Sequence, residues 1–294
     1  MQQQNSICDF NSSDSWAILS PIEQSIKRKI EAVGTPLKDW DIQINYGIKT
    51  GFNDAFIIST EKRNEILSNC KTEDERKRTA ELIRPILRGR DIKRYGYDWA
   101  NLYLIATFPS RHYDIDKYPA VKQYLLSFGI ERLEQTGKTH VVGGEKVKAR
   151  KKTNNKWFET QDSISYWEDF SKQQIVWIEL SDEPKFALTE NTMSVNTVFF
   201  MTGEHILHLL GLLNSKLITW YFRHCIGTTS GVGTNRWLKY TIEQIPMAPF
   251  CLKLEELSLK ISKSFDHETD KEIERYVCQL YNLNDIEENY IISQ

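Results

Sequence analysis

The chain has 294 residues, of which 40% are hydrophobic and 27% are charged, and its formal net charge at pH 7 is -2. This composition is typical of one or two globular domains with a real core, and it excludes a polycationic or disordered chain. The five cysteines are widely spaced and form no Cys-x-x-Cys pair, which favours a reducing, cytoplasmic compartment over a disulfide framework.

Helices and strands alternate irregularly along the first half of the chain. Residues 1–15 are polar, and we expect them to form a flexible lead-in. Ser20 and Glu23 have the spacing of a capping box, so a helix is predicted over 20–33. Apolar periodicity then predicts strands over 41–46, 55–59 and 102–107, and helices over 72–83 and 118–133.

The second half continues this mixture, with predicted strands over 174–180 and 194–200 and predicted helices over 252–265 and 271–280. The apolar helix predicted over 204–224 is interrupted by Asn214, Ser215 and Lys216, which indicates a buried helix rather than a membrane span. Because no regular β-α-β alternation is present, we predict the α+β class. The expected organisation is one mixed-sheet domain over 16–250, followed by a C-terminal helical segment over 251–294.

The near-zero net charge is an average over two unlike regions. Residues 137–156 contain seven Lys or Arg against the single acid Glu145, a local charge of +6. Residues 251–294 contain five Lys or Arg against ten Asp or Glu, a local charge of -5. A basic region of this kind can attract an anionic partner even when the whole chain is slightly acidic.

The chain lacks the common enzyme motifs. It contains neither a P-loop nor a Gly-x-Ser-x-Gly elbow. The segment from Gly231 to Arg236 begins like a dinucleotide-binding loop but ends in arginine and follows a predicted helix. His205 and His208 have helical spacing but lack a second pair of metal ligands. We therefore predict no catalytic residue, no metal ligand and no cofactor site in this chain.

One acidic cluster keeps a Mg²⁺-dependent nuclease as an alternative. Nuclease sites combine carboxylates that hold the metal with a lysine that acts on the attacking water. Pro184 lies inside the cluster and cannot donate a strand hydrogen bond, which favours a simple turn. The residues of this alternative are Glu179, Asp182, Glu183 and Lys185.

Four segments carry the side chains that a reader of duplex DNA needs. Lys and Arg bind phosphates, whereas Arg, Lys, Asn and hydroxyl side chains also read base edges. Glycines beside these residues let the backbone approach a phosphate closely. The candidate DNA-binding residues are Lys49, Thr50 and Asn53; Arg88, Arg90, Lys93 and Arg94; Lys148, Arg150, Lys151, Lys152, Asn154 and Lys156; and Thr228, Thr229, Thr234 and Arg236.

Long motifs in a fixed order resemble those of the TaqI-like specificity domain of type IIG restriction-modification enzymes and N6-adenine DNA methyltransferases. The resemblance covers residues 16–292. It is carried by GTPLKDW at 34–40, YGIKTGFNDAFII at 46–58, IRPILRGRDIKRY at 83–95, RKKTNNKWFE at 150–159, YWEDF at 166–170, IVWIELSDEPKF at 175–186, LLNSKL at 212–217, YTIEQIPM at 240–247 and IERYVCQLYNL at 273–283. The Asn-Ser-Lys and Gln-Ile-Pro motifs are expected to be structural, as a helix end and a turn.

The resemblance implies that the chain recognises a target sequence in double-stranded DNA and presents it to an adenine methyltransferase, often fused to a nuclease, as part of bacterial defence. The Asn-Pro-Pro-Tyr methyltransferase signature is absent from this sequence. S-adenosylmethionine is therefore expected in a methyltransferase domain that lies in the same or a partner chain. No membrane partner is expected. A second alternative is an interaction module that is specific only when it is assembled with a methyltransferase partner, as in type I specificity subunits.

Overall fold

The computed structural model describes residues 19–227 and 234–294, so the lead-in expected over 1–15 lies outside the described residues. The strands in this part of the chain are β1 Thr35–Pro36, β2 Ile42–Tyr46, β3 Ile57–Ser59, β4 Ile83–Leu87, β5 Leu102–Ile105, β6 Thr139–Val142, β7 Glu145–Lys148, β8 Gln174–Ile178, β9 Ala187–Thr189, β10 Met193–Ser194, β11 Val198–Gly203 and β12 Pro246–Met247. The helices are α1 Pro21–Val33, α2 Asn53–Phe56, α3 Thr60–Ser68, α4 Glu73–Leu82, α5 Pro119–Leu126, α6 Ile130–Leu133, α7 Ile206–Leu213, α8 Lys216–Tyr221, α9 Lys239–Ile242, α10 Leu252–Lys263, α11 His267–Leu280 and α12 Asp285–Ile292.

Two four-stranded sheets form the framework, and the α+β class is confirmed. The first sheet has the order β2-β11-β8-β9 and is antiparallel throughout. The second has the order β10-β4-β5-β3 and is mixed, because β10 pairs with β4 in parallel. A parallel bridge between Ile48 and Val195 joins the two sheets just beyond β2 and β10.

Strands β8 and β11 of the first sheet are buried on both faces because they lie between two hydrophobic cores. Ile44, Trp177 and Phe199 belong to the core that includes residues of α1, α7, α8, α10 and α11. Val176 and Phe200 belong to the other core, which includes residues of β4, β5 and α5. Alternation of side chains along β8 and β11 thus serves two apolar layers, which is why both strands are continuous hydrophobic runs.

Local signals in the sequence account for several helix ends. Ser20 and Glu23 form the predicted capping box of α1, in which the Ser20 amide donates to the Glu23 carboxylate at 2.7 Å. Thr72 caps α4 as the side-chain acceptor of an amide in its first turn. These caps satisfy amides that have no partner inside the helix, so they fix where each helix begins.

Other predicted elements are divided in the structure. The predicted helix over 204–224 ends at Asn214, and Ser215 caps a new helix, α8, by accepting the Ile218 amide. The helix predicted over 118–133 is divided into α5 and α6. Gly129 between them has a φ of 83°, which is incompatible with a right-handed helix. The strand predicted over 194–200 is wrong as one element, because it comprises the end of β10 and the start of β11.

Helices α10, α11 and α12 contribute to the same hydrophobic core as the first sheet. The structural expectation for the Asn-Ser-Lys motif is confirmed, since the Asn214 amide group exchanges hydrogen bonds with the backbone of Phe186. The Gln-Ile-Pro motif leads into β12, which pairs with β1. Within the described ranges, no helix is long and apolar enough to cross a membrane.

Candidate nucleic-acid interface

Four strands end at one edge of the framework. β4 and β10 run in parallel, and Ile48 beyond β2 pairs in parallel with Val195 beyond β10. β2 and β8 are both antiparallel to β11, so they also share a direction. The C-terminal ends of β2, β4, β8 and β10 therefore lie together, and we name this place the carboxyl edge.

Exposed polar side chains follow these strand ends. Lys49 comes after β2, Arg90 after β4, and Asn196 and Thr197 after β10, and all four are exposed. Gly89 permits the close packing of the Arg90 turn, because a Cβ there would lie 2.9 Å from the Cγ2 of Ile178 at the end of β8. The carboxyl edge thus presents cations beside an amide and a hydroxyl.

The sequence prediction did not include Asn196 and Thr197. Both lie in a segment that reads as one continuous strand, and only their polarity between apolar neighbours signals the break. The backbone N–H of Asn196 donates to the Ile48 carbonyl at 3.0 Å, which places Asn196 and Thr197 directly beside the Lys49 segment.

Beside the carboxyl edge, a second group of predicted DNA-binding residues surrounds the buried side chain of Arg150. Only 3% of the residue is exposed. Its guanidinium donates to the backbone carbonyls of Leu133 at 2.8 Å, Thr50 at 2.8 Å, Glu159 at 2.7 Å and Trp157 at 2.6 Å. Burial lowers the pKa of Arg150 to about 10, so the guanidinium is protonated at neutral pH.

The sequence predicts a DNA contact for Arg150, and the structure gives it a different role. A guanidinium on a residue that is 3% exposed, with four of its five N–H donors bonded to backbone carbonyls, cannot reach a phosphate at the surface. We call Arg150 and the four carbonyl groups the Arg150 hub. Because the hub includes the Thr50 carbonyl, it ties the Lys148–Lys156 segment to the Lys49–Asn53 loop.

Most of the predicted DNA-binding residues around the hub are exposed and cationic. The backbone N–H of Gln161 donates to the Lys49 carbonyl at 3.0 Å, which strengthens the connection between the two segments. Thr50 is an exception, since it is 1% exposed and its hydroxyl donates to Asn53 Oδ1 at 2.6 Å. The predicted DNA-binding residues that are exposed around the hub are Lys49, Asn53, Lys148, Lys151, Lys152, Asn154 and Lys156.

The Arg88–Arg94 segment is divided between the fold and the surface. Arg88 makes an ion pair with the buried Asp91 at 2.7 Å, and this pair holds the pKa of the Asp91 carboxyl below its usual value despite burial. Arg94 is bound to Asp270 at 2.5 Å and to Glu274 at 2.6 Å, so it fastens the segment to α11. Of the predicted cations, Arg90 and Lys93 remain exposed, and Lys93 pairs with Asp98.

The fourth predicted segment is only partly described, because Thr228 and Thr229 lie outside the described residues. Thr234 is half-buried. Arg236 makes an ion pair with Glu179 at 2.5 Å at the end of β8, so this arginine also lies at the carboxyl edge.

The same ion pair bears on the acidic cluster of the nuclease alternative. Oε1 of Glu179 accepts hydrogen bonds from Nε and Nη2 of Arg236, so this carboxylate already has a cationic partner. Among the residues that the structure describes, no three His, Cys, Asp or Glu side chains are grouped so that they could hold a metal ion. His208 is buried, and its Nε2 bonds to the Ala248 carbonyl at 3.0 Å.

A sequence comparison identifies one family. The profile of the TaqI-like C-terminal specificity domain matches residues 84–247, which is more than half of the chain. No curated protein sequence matches the chain.

The fold is similar to parts of two solved structures. The type IIL restriction-modification enzyme MmeI, solved in complex with DNA, aligns with a TM-score of 0.56 and 13% identity over 88% of this chain. The type IIG restriction endonuclease BpuSI aligns with a TM-score of 0.52 and 11% identity over 93% of this chain. The matched regions are 37% of the first enzyme and 33% of the second, so this chain spans about a third of their length.

Proposed function

The chain belongs to the family of TaqI-like C-terminal specificity domains, and from this premise we propose that it recognises a specific sequence in duplex DNA. The observation that supports the proposal most directly is the convergence of separate segments at the carboxyl edge and the Arg150 hub. Exposed cations there suit phosphates, and the neighbouring Asn and Thr side chains suit base edges.

The residues beside the Arg150 hub contact phosphates, and those at the carboxyl edge contact bases. Lys151 and Lys152 lie between Arg150 and Thr153, whose backbone amides donate to the Glu134 and Gln135 carbonyls, so their ammonium groups are held near a rigid support. Such cations set the register of a protein on the DNA backbone without reading sequence. Arg90, Asn196 and Thr197 at the carboxyl edge carry the donors and acceptors that distinguish one base from another.

The proposal extends to a place in restriction and modification. The chain holds its target DNA against an N6-adenine methyltransferase domain in the same or a partner chain, and that domain binds S-adenosylmethionine as the methyl donor. The size relation supports this view, since the chain aligns with only 37% and 33% of two restriction-modification enzymes. In this arrangement the target adenine is flipped into the methyltransferase rather than into this chain.

Salt-dependent binding tests the proposal. Fluorescence anisotropy of a labelled duplex, titrated with the full chain over a salt series, is expected to give a linear fall of log affinity with log salt concentration. The double variant Lys151→Ala with Lys152→Ala is expected to reduce the slope by about 2 and to weaken binding to every sequence alike. A flat slope for the unchanged chain refutes the proposal.

A matched control comes from the opposite edge of the first sheet. Lys38 and Lys172 are exposed and precede β2 and β8, at the ends of those strands opposite the carboxyl edge, and Lys172 pairs with Asp169 at 2.7 Å. The double variant Lys38→Ala with Lys172→Ala removes the same charge and is expected to leave the slope unchanged. An equal loss in both double variants means that binding follows total charge and contradicts a defined interface.

A further inference from the structure

The β6–β7 hairpin stands out from the surface next to the Arg150 hub. Its two-residue turn, Gly143-Gly144, has φ values of 60° and 90°, the left-handed pair that suits a tight hairpin. A Cβ built on either glycine would meet no atom within 4 Å. The tip of the hairpin is therefore clear of the rest of the described chain.

The base of the hairpin, in contrast, is firmly held. The Gly137 amide donates to the Arg150 carbonyl at 2.8 Å, and the Ala149 amide donates to the Lys138 carbonyl at 2.9 Å. Arg132 donates to the Lys148 carbonyl at 2.5 Å. A rigid base attached to the hub means that the hairpin keeps its direction relative to the Lys49–Asn53 loop.

The pairing of the two strands sorts their side chains into two faces. Thr139 lies opposite Lys148 and Val141 opposite Lys146, and residues paired across an antiparallel ladder share a face. All four of these side chains are exposed, and Val141 is 71% exposed. On the opposite face the His140–Val147 pair near the base is half-buried, so that part lies toward the body of the protein, and the Val142–Glu145 pair at the tip is exposed.

The outward face has the chemistry of a reader of the major groove. A two-stranded ribbon fits a groove about 12 Å wide, and lysine donates to guanine, a hydroxyl bonds to several bases, and an apolar side chain contacts the thymine methyl group. The surrounding charge also favours DNA, because the only acid in the segment 137–156 is Glu145. An exposed valine among lysines has no partner in the described chain that would explain its position.

We propose that the β6–β7 hairpin enters the major groove and that Thr139, Val141, Lys146 and Lys148 read bases there. This inference rests on the proposed function and adds the element that determines part of its specificity. Val141 contacts the C5 methyl group of a thymine, which is the apolar group that the major groove offers. Lys146 and Lys148 donate to acceptors on the neighbouring bases.

Selection from a random duplex library, with the full chain, first defines the bound sequence. Deoxyuridine is then substituted for each thymine in turn, which removes only the C5 methyl group. At one position the affinity of the unchanged chain is expected to fall about fourfold, as for the loss of one buried methyl contact. Val141→Ser is expected to bind both duplexes equally.

Ile286→Ser provides the matched control, because Ile286 is 73% exposed on the C-terminal helix α12. This variant is expected to retain the full response to deoxyuridine. Lys146→Ala is expected to change the selected base at one or two adjacent positions, unlike Lys151→Ala, which weakens all sequences alike.

The outcomes separate this inference from the proposed function. If the chain selects a sequence but Val141→Ser still responds to deoxyuridine, or Lys146→Ala leaves the selected sequence unchanged, the hairpin does not read bases and the inference alone is overturned. If the unchanged chain selects no sequence, the proposed function fails and the inference fails with it.

Discussion

Replacing Arg150 by methionine is expected to destabilise the folded chain by removing the hydrogen bonds of the Arg150 hub. Methionine has a similar unbranched stem and retains part of the apolar packing, but it donates no hydrogen bond. Four carbonyl groups at separate backbone positions lose the Arg150 donor in this variant, and of these the Glu159 carbonyl keeps a second donor, Gln135 Nε2 at 3.0 Å. The change therefore reports on the hub rather than on surface charge.

The magnitude follows from these four bonds. A hydrogen bond to a charged group contributes about 1.5–3 kcal/mol net, and an unsatisfied buried carbonyl costs about 1–3 kcal/mol. Removal of the buried charge itself recovers part of this loss, because the guanidinium had to be stripped of water. We therefore expect Arg150→Met to lower the free energy of unfolding by about 4 kcal/mol, which is large for a single substitution.

Urea unfolding at 25 °C, followed by tryptophan fluorescence, measures this change, and the chain has eight tryptophans to report it. Lys151→Met is the matched control, because the adjacent side chain is exposed and its replacement is expected to change stability by less than about 0.5 kcal/mol. If Arg150→Met lowers stability by less than about 1 kcal/mol, or if Lys151→Met has an equal effect, the assignment of Arg150 to the fold is wrong.

Two further substitutions test the packing and the charge of the framework. Burial raises the pKa of Glu274 to about 7, because the loss of hydration outweighs the opposing effect of the ion pair with Arg94. The folded chain therefore binds this proton more tightly than the unfolded chain, and the free energy of unfolding should fall by about 2–3 kcal/mol as the pH rises from about 4.5 to 7. Glu274→Gln should remove most of that fall in urea titrations at several pH values, whereas Glu268→Gln, on the exposed side of the same helix, should keep it. Gly47→Ala would place a Cβ 2.0 Å from the Val195 carbonyl oxygen and should lower the free energy of unfolding by about 2 kcal/mol or more in the same assay. Gly96→Ala is the control, because a Cβ there meets no atom within 4 Å and should change stability little.

The parts of the fold that were predictable are those with local causes. Capping side chains and apolar periodicity act over a few residues, so α1, α4 and β8 follow from the sequence. The division of 204–224 at Ser215 is also local, since serine is a preferred N-cap. The parallel bridge between Ile48 and Val195, in contrast, joins residues far apart in the chain, and no local pattern indicates it.

The sequence indicates which residue types form the candidate site, but not which of those residues are exposed or lie together in the fold. Charge and glycine content mark the four segments, yet the same features do not distinguish Arg150 from Lys151. The two differ in burial, which is decided by the carbonyl groups that surround Arg150. Conversely, Asn196 and Thr197 carry no charge, and only the strand geometry brings them to the carboxyl edge.

The acceptors of the Arg150 hub do not restrict which side chains surround it. All four are backbone carbonyls, which every residue type supplies, so the hub does not depend on the side chains at Leu133, Thr50, Glu159 or Trp157. Exposed neighbours of the hub and of the β6–β7 hairpin can therefore be exchanged while the backbone that carries them stays in place. Under the proposed function, a support built from backbone hydrogen bonds would let the outward side chains that contact bases change while the phosphate contacts keep their positions.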